Sequence, residues 1–483
     1  MAEKKVPFYR LILKPVWKGT GIEYMDIGIT VEAPGVSRDS ELFFVNLNTV
    51  SIPFCEIQNG MNLSDNRGAL DYSVNYSEAG FIKKAHYLAN RDTEGDLTIK
   101  YRILPRIQPE NYKSSPYFDF VCEEGGANGA GLTFLPIIGE KETYDFSLKW
   151  DLSEMPEGSR GVWCLNEGDT LARCLGVEIC FSYYAAGMLK SIEKENFGFY
   201  WFSDPPFPVE EAAGKIRDLF LFMAVFFKDN KEPYKVFSRK NSFDGGGGTA
   251  AKRSYMFGYG QKKMHTVDSL LGLFAHEMVH NWPHLKDEPY GTATWYPEGM
   301  AEYYSIVLPY RAGIWTLEKS LEALNKKTDD YYSNTTRDLS NEEAAKLFWT
   351  DRRTQRIPYG RGLLYIINTD TQIRDASGGK RCVDDVVLEI LSMPSGGREC
   401  GNETWLELVS RELGRDASPE FNDMAAGKLI EPLDGCFGGA FKAVPAMFEP
   451  ENKETSESEG EKTGGALLKG CKWELSGKKD SKI

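Results

Sequence analysis

The sequence predicts a multidomain α+β protein in which an N-terminal antiparallel β domain precedes a mainly helical region. Three observations carry this reading. The chain has 483 residues, 41% of them hydrophobic, too long for one ordinary domain and rich enough to bury more than one core. Up to about residue 200, short β-rich runs alternate with turn signals. Beyond Pro205, apolar residues recur at helical spacing.

Taken in order, YRLILKPVW, DIGITVEA, ELFFVNLN, GDLTIKYRIL and GLTFLPII are rich in β-branched and aromatic residues, and EAPG, NRG and EGGANGAG punctuate them. Each run is expected as a strand. VEEAAGKIRDLFLFMAVFFKD opens the helical part, and LEKSLEALNKKTDDYY, SNEEAAKLFW, YGRGLLYIINTDTQIRD, CVDDVVLEILSM and ETWLELVSREL continue it. Ser340 and Glu343 stand as a capping box for the second of these continuing helices. Residues 449–465, EPENKETSESEGEKTGG, carry too few apolar groups to pack and are expected as a flexible tether; ALLKGCKWEL after them can return as a strand. The expected division is a β-rich domain at 1–200, a second domain at 201–375, a helical region at 376–448, and the acidic tether with a terminal segment at 449–483.

Charge narrows the partners. With 57 basic and 71 acidic residues the net charge is -14, which argues against nucleic acid and anionic membrane as partners, because both need a basic surface. No stretch is apolar for long enough to span a bilayer, and the N-terminus lacks an apolar export signal. Nine cysteines, odd in number and without a C-x-x-C pair, read as reduced thiols. A cytoplasmic location is therefore expected, and the four glycosylation sequons read as chance matches. The oligomeric state leaves no signal. The glycine run Gly245 to Gly248 lacks the lysine of a phosphate loop, so no nucleotide site is expected there.

The chain has five histidines, and three of them, His276, His280 and His284, fall within AHEMVHNWPHL. In HTVDSLLGLFAHEMVHNW, Leu270, Leu271, Phe274 and Met278 follow helical spacing, Thr266 can cap the start, and Pro283 is expected to end the helix. His276 and His280 then share a face about 6 Å apart in rise, close enough to converge on one tetrahedral cation, with Glu277 placed to take a proton from bound water. Such a short pattern also arises by chance, so a third ligand decides. Glu298, in WYPEGMAEYYS, opens a second helical pattern eighteen positions after His280. It can complete a His, His, Glu site for one zinc ion. Glu302, one turn later, either accepts the free N–H of a ligating histidine or is a solvated helix charge. His284 lies beyond Pro283 and cannot share the face of the other two; His86 and His265 carry no pattern.

On HEMVHNW, WYPEGMAEYY and IPYGRGLLY, the chain resembles the gluzincin metallopeptidases, both the aminopeptidase N and the glycyl aminopeptidase families. The resemblance is good over about residues 200–430 and looser before. It implies a thermolysin-like zinc catalytic domain, with His276, His280 and Glu298 as metal ligands, Glu277 as general base and Tyr359 as the oxyanion donor, Tyr359-Gly360-Arg361-Gly362 matching a Tyr-x-Lys-Gly segment with arginine for lysine. One departure stands out. Members of these families place a glutamate in a glycine-rich segment, of the form G-x-M-E-N or G-G-L-E-H, to hold the substrate amine, whereas this chain has FDGGGGTAAKRSYMFGYG. Asp244 is the only nearby substitute, and Gly246, Gly247 and Gly248 suit a strand along which a substrate backbone lies closely. The reading is a zinc metallopeptidase acting on a peptide amide. The alternatives are a zinc-dependent small-molecule hydrolase or lyase on the same fold, and a non-catalytic binding protein.

Overall fold

Period-two burial builds the first sheet. Along Leu97–Leu104, residues Leu97, Ile99, Tyr101 and Ile103 are all buried, and Phe8–Lys18 turns in Tyr9, Leu11 and Leu13 in the same way. Each such side chain, fully buried, contributes roughly 1.5–3 kcal/mol. The structure, a computed structural model, describes residues 5–49, 52–79, 82–110, 116–229, 232–260, 265–348, 350–452, 461–462, 466–477 and 483.

Two compact units result: Met1–Arg217 with Lys231–Val267, and Asp218–Asn230 with Asp268–Ile483. In the first, a seven-stranded sheet runs in the order Thr170–Leu175, Thr143–Trp150, Phe8–Lys18, Gly21–Val31, Leu97–Leu104, Glu56–Asp65 and Gly68–Ala69. All its pairs are antiparallel except Phe8–Lys18 with Thr143–Trp150. Two four-stranded sheets pack with it, and a short helix α1 (Gly176–Cys180) follows its last strand. Strands continue past residue 200: a five-stranded mixed sheet runs Lys190–Lys194, Phe197–Trp201, Tyr234–Lys240, Ser254–Tyr259 and, at the edge, Gly247–Ala251. The run GLTFLPII is not a strand. Gly131–Thr133 is a single 3-10 turn and the residues after it are irregular, because Pro136 has no N–H for a ladder and Gly131 fits against Cys180, whose carbonyl would lie 2.8 Å from an added Cβ.

The second unit is helical. The boundary passes through α2 (Val209–Phe226), and then follow α3 (Val267–Val279), α4 (Trp295–Arg311), α5 (Leu317–Tyr332), α6 (Asn341–Leu347), α7 (Arg352–Gln355), α8 (Ile357–Ser377), α9 (Val383–Ser392), α10 (Asn402–Leu413) and α11 (Ser418–Ala425). The Ser340–Glu343 capping box is formed, and Gly378 ends α8 in the left-handed region at φ 62. Leu468–Leu475 returns as a strand paired with Phe441–Phe448. Of the polar segment 449–465, Glu451–Asn452 and Glu461–Lys462 pair as a two-stranded ladder; most of the rest lies outside the described residues. Among the described residues no helix is long and apolar enough to cross a membrane.

Candidate metal centre

Close backbone contact sets the frame of the site. α4 and α8 cross at Gly299 and Gly362: a Cβ on Gly362 would lie 2.3 Å from the Trp295 carbonyl oxygen and 2.8 Å from Gly299 Cα. Gly360 abuts Tyr331 of α5, where an added Cβ would stand 2.3 Å from the tyrosine Cβ. Only glycine allows this approach. Arg361, between them, is fully buried and donates to Asn341 Oδ1 at 2.7 Å and to the carbonyls of Arg337 and Leu339 at 2.6 and 2.5 Å. That fork holds the turn before α6 against α8, a role suited to guanidinium geometry.

The zinc-motif helix is anchored from two sides. Leu270, Leu271, Phe274, Met278 and Val279 are buried. The helix ends at Val279 rather than running to Pro283; Asn281 and Trp282 donate to the carbonyls of Met278 and Val279, tightening the exit into a three-residue turn. His280 therefore sits just past the helix. Trp282 pins this turn by stacking on Phe227 at 4.7 Å and donating to Asp229 at 2.9 Å. In front of α4, the Asp287 carboxylate accepts from the N–H groups of Gly291 and Ala293 and from the Thr294 hydroxyl, and Trp295 donates to Asn402. Glu298 thus projects from a fixed first turn.

Three donor atoms converge. His276 Nε2 lies 3.2 Å from His280 Nε2, and Glu298 Oε2 lies 3.4 and 3.6 Å from the two nitrogens. A tetrahedral cation with bonds of about 2.0–2.1 Å would separate its ligands by about 3.3 Å. Glu298 Oε2 is buried without a hydrogen-bond partner among the described residues, an acceptor that a metal ion would satisfy. Among the described residues these three form the one group with metal-binding spacing. His284, half-buried, is not part of it.

The surroundings fix the donors. Glu302 Oε1 lies 3.1 Å from His276 Nδ1, and the other oxygen pairs with Lys327 of α5. A proton carried on Nδ1, the side facing Glu302, leaves the Nε2 lone pair facing the cation position. In the metal-free chain, burial would lower the His276 pKa, but Glu302 and Glu298 outweigh it and push it up to about 10. Burial likewise opposes ionisation of Glu302, yet Lys327 and His276 hold it well below the usual carboxylate range. Burial lowers the His280 pKa, leaving it neutral. Glu277 is raised to about 7, by burial first, against the pull of His276. Tyr359, in the first turn of α8, lies parallel to the His276 ring with centroids 5.5 Å apart and an interplanar angle of 3°; burial and then Glu298 push its phenol far above the usual value, so it stays a donor.

The remaining sequence candidates lie in the first unit. Asp244 is in a bend before the edge strand, Gly246 precedes that strand, and Gly247 and Gly248 begin it; Gly248 fits against the Tyr255 ring, 2.2 Å from an added Cβ. His86 bonds to Ser77 and Glu41, and His265 packs edge-on to Phe207 and Phe257. Lys327 escaped the sequence reading: it sits in an amphipathic, charged helix where a lysine looks like any solvated one.

Residues 269–359 match the model of the M61 glycyl aminopeptidase family. The chain is similar to the structure of an aminopeptidase N family protein from Idiomarina loihiensis, with a TM-score of 0.67 at 14% identity over 93% of this chain and 82% of that one. It is also similar to an M1 zinc metallopeptidase from Deinococcus radiodurans, as a point mutant bound to a Tyr-Ser-Ala substrate (TM-score 0.55, 14% identity, 89% of this chain and 95% of that one) and without a mutation (TM-score 0.53, 16% identity, the same coverage). A search of curated proteins finds no match. The likeness to these solved structures is one of fold, and the stretch matched by the family model contains His276, His280, Glu298 and Tyr359.

Proposed function

We propose that the protein is a zinc-dependent peptidase that hydrolyses a peptide amide bond. The observation that carries this is the convergence of His276, His280 and Glu298 at tetrahedral spacing beneath Tyr359, with Glu277 in the same helix. Bound zinc supplies an acidified water and an electrophilic contact for a carbonyl oxygen. Glu277 takes a proton from the attacking water and returns it to the leaving amine. Tyr359 donates its O–H to the developing oxyanion. Glu302, held by Lys327, keeps His276 in the ligating tautomer.

A peptide substrate is supported by the Deinococcus protein, whose structure holds a tripeptide. The absent amine-holding glutamate separates this chain from a strict exopeptidase, and it also favours the second reading, a small-molecule hydrolase on the same fold. Without that carboxylate an N-terminal ammonium gains little, so free and N-acetylated peptides should be cut at similar rates. Nine free thiols fit the cytoplasm as the location.

The test is to load the protein with zinc and profile it against paired free and acetylated peptides, with Glu277→Gln and Asp244→Asn alongside. Glu277→Gln should keep its zinc and lose turnover by several orders of magnitude. An active Glu277→Gln enzyme ends the general-base assignment. A strong preference for free amines that vanishes in Asp244→Asn would make Asp244 the amine anchor.

A further inference from the structure

The stretch leading into Tyr359 holds an arrangement that the reaction above does not use. α7 ends at Gln355 and α8 begins at Ile357, and Arg356 between them keeps helical backbone angles, φ -82 and ψ -14. The helical path is nearly continuous, so Arg352, Arg356 and Tyr359, at i, i+4 and i+7, lie along one face. Tyr359 on that face stacks on the ligand His276, which turns the face toward the donor set.

Neither arginine has a local counter-charge. Asp351, the nearest acidic residue in sequence, is engaged by Arg353, accepting from its Nε at 3.0 Å, its Nη2 at 2.7 Å and its backbone N–H at 2.9 Å. Arg352 and Arg356 make no ion pair and no side-chain hydrogen bond among the described residues. In a chain with 71 acidic and 57 basic residues, two adjacent arginines without a carboxylate, one of them half-buried, leave a positive charge in reserve. Burial and then Arg356 push the Arg352 pKa down, whereas Arg160 and Arg411, hydrogen-bonded to Glu167 and Glu389, are pushed up.

Resting on the peptidase reading, we propose that Arg352 and Arg356 form a carboxylate-binding subsite that selects substrates carrying an anionic carboxylate close to the scissile amide. Guanidinium forks match a carboxylate in shape and charge. Along the helix, Arg356 and Arg352 stand about 4.5 and 10.5 Å from Tyr359 in rise, spans of about one to three extended residues. The α-carboxylate of a short peptide fits that span, as does an Asp or Glu side chain at the same distance.

Three peptides of one length and sequence test this on the zinc-loaded enzyme: one with a free C-terminal carboxylate, one C-terminal amide, and one amide with Glu near the C-terminus. The wild type should prefer the free acid over the amide by about 10–100-fold in kcat/KM, mostly through KM. In Arg352→Gln/Arg356→Gln, with zinc content retained, the ratio should fall to about one, while Arg352→Lys/Arg356→Lys should keep part of it. Preference for the Glu-containing amide over the free acid would assign the subsite to a side-chain carboxylate; preference for the free acid alone assigns it to the C-terminus. Equal treatment of all three peptides by the wild type, or an unchanged ratio in the Gln variant, overturns the proposal. Calorimetric binding of the same peptides to zinc-loaded Glu277→Gln separates the two readings. Tighter binding of the acid with no cleavage of any peptide by the wild type would remove the peptidase reading and keep the subsite, and cleavage without acid preference would do the reverse.

Discussion

Tyr359 is the residue whose function is most exposed to a single-atom test. Tyr359→Phe removes one donor and leaves the ring on His276 in place, so kcat should fall by roughly 10²–10³ with little change in KM or bound zinc. Steady-state kinetics with metal analysis checks this, and an unchanged kcat would make the tyrosine structural. Glu302→Gln weakens the acceptor for His276 Nδ1–H and leaves Lys327 without its anion. Zinc affinity should drop by roughly 10–100-fold, read by competition with a chelator. The candidate donors could be picked out because metal chemistry restricts residue type and spacing locally: two histidines a turn apart with a glutamate between them form a recognisable pattern, and the structure brings their ring nitrogens within 3.2 Å. Lys327 was illegible because its meaning lies in a partner twenty-five positions away on another helix, and a lone lysine carries no spacing rule.

At the scale of elements, the crossing of α4 and α8 decides whether Glu298 and Tyr359 meet the histidines. Gly362→Ala puts a methyl group against the Trp295 carbonyl. We expect a loss of about 1–3 kcal/mol in unfolding free energy together with reduced zinc content, whereas Gly214→Ala, within α2 where nothing lies within 4 Å of an added Cβ, should leave zinc content unchanged. Denaturant melts and metal analysis of the two variants check this. Most helices were readable from periodicity, and the Ser340 cap from its partner three residues on. Their tight contacts were not, since Tyr-Gly-Arg-Gly fixes neither which backbone the glycines touch nor that Arg361 would bind carbonyls. Similarly, GLTFLPII has strand composition, and only its surroundings show that it is a buried 3-10 turn followed by irregular chain.

For the molecule as a whole, zinc binding and protonation are linked. In the metal-free chain His276 is held at about 10, above its unfolded value near ~6.5. The stabilisation this gives is fully present below pH ~6.5 and is lost as pH rises toward 10. Zinc reverses the sense, because binding expels that proton. Apparent zinc affinity should therefore climb about tenfold per pH unit between 7 and 9, and calorimetry in buffers of different ionisation enthalpy should count close to one proton released. Chelated protein should melt at falling temperature over the same range, while protein in excess zinc gains about 4.1 kcal/mol at a thousandfold excess over Kd. The β-then-helix order of the chain was legible in composition. The interleaving of the two units was not, because it depends on which long-range contacts a segment makes.

That interleaving has a practical consequence for anyone dissecting the gene. The polypeptide passes between units at 217/218, 230/231 and 267/268, so no single cut yields both units whole. A fragment starting at residue 268 would contain all three candidate metal donors yet lack Phe227 and Asp229, the stacking and hydrogen-bonding partners of Trp282. The turn holding His280 would lose its clamp. During synthesis, residues 218–229 emerge well before the histidines and must wait for them, which makes the stretch after α2 an early-made support for a later-made turn.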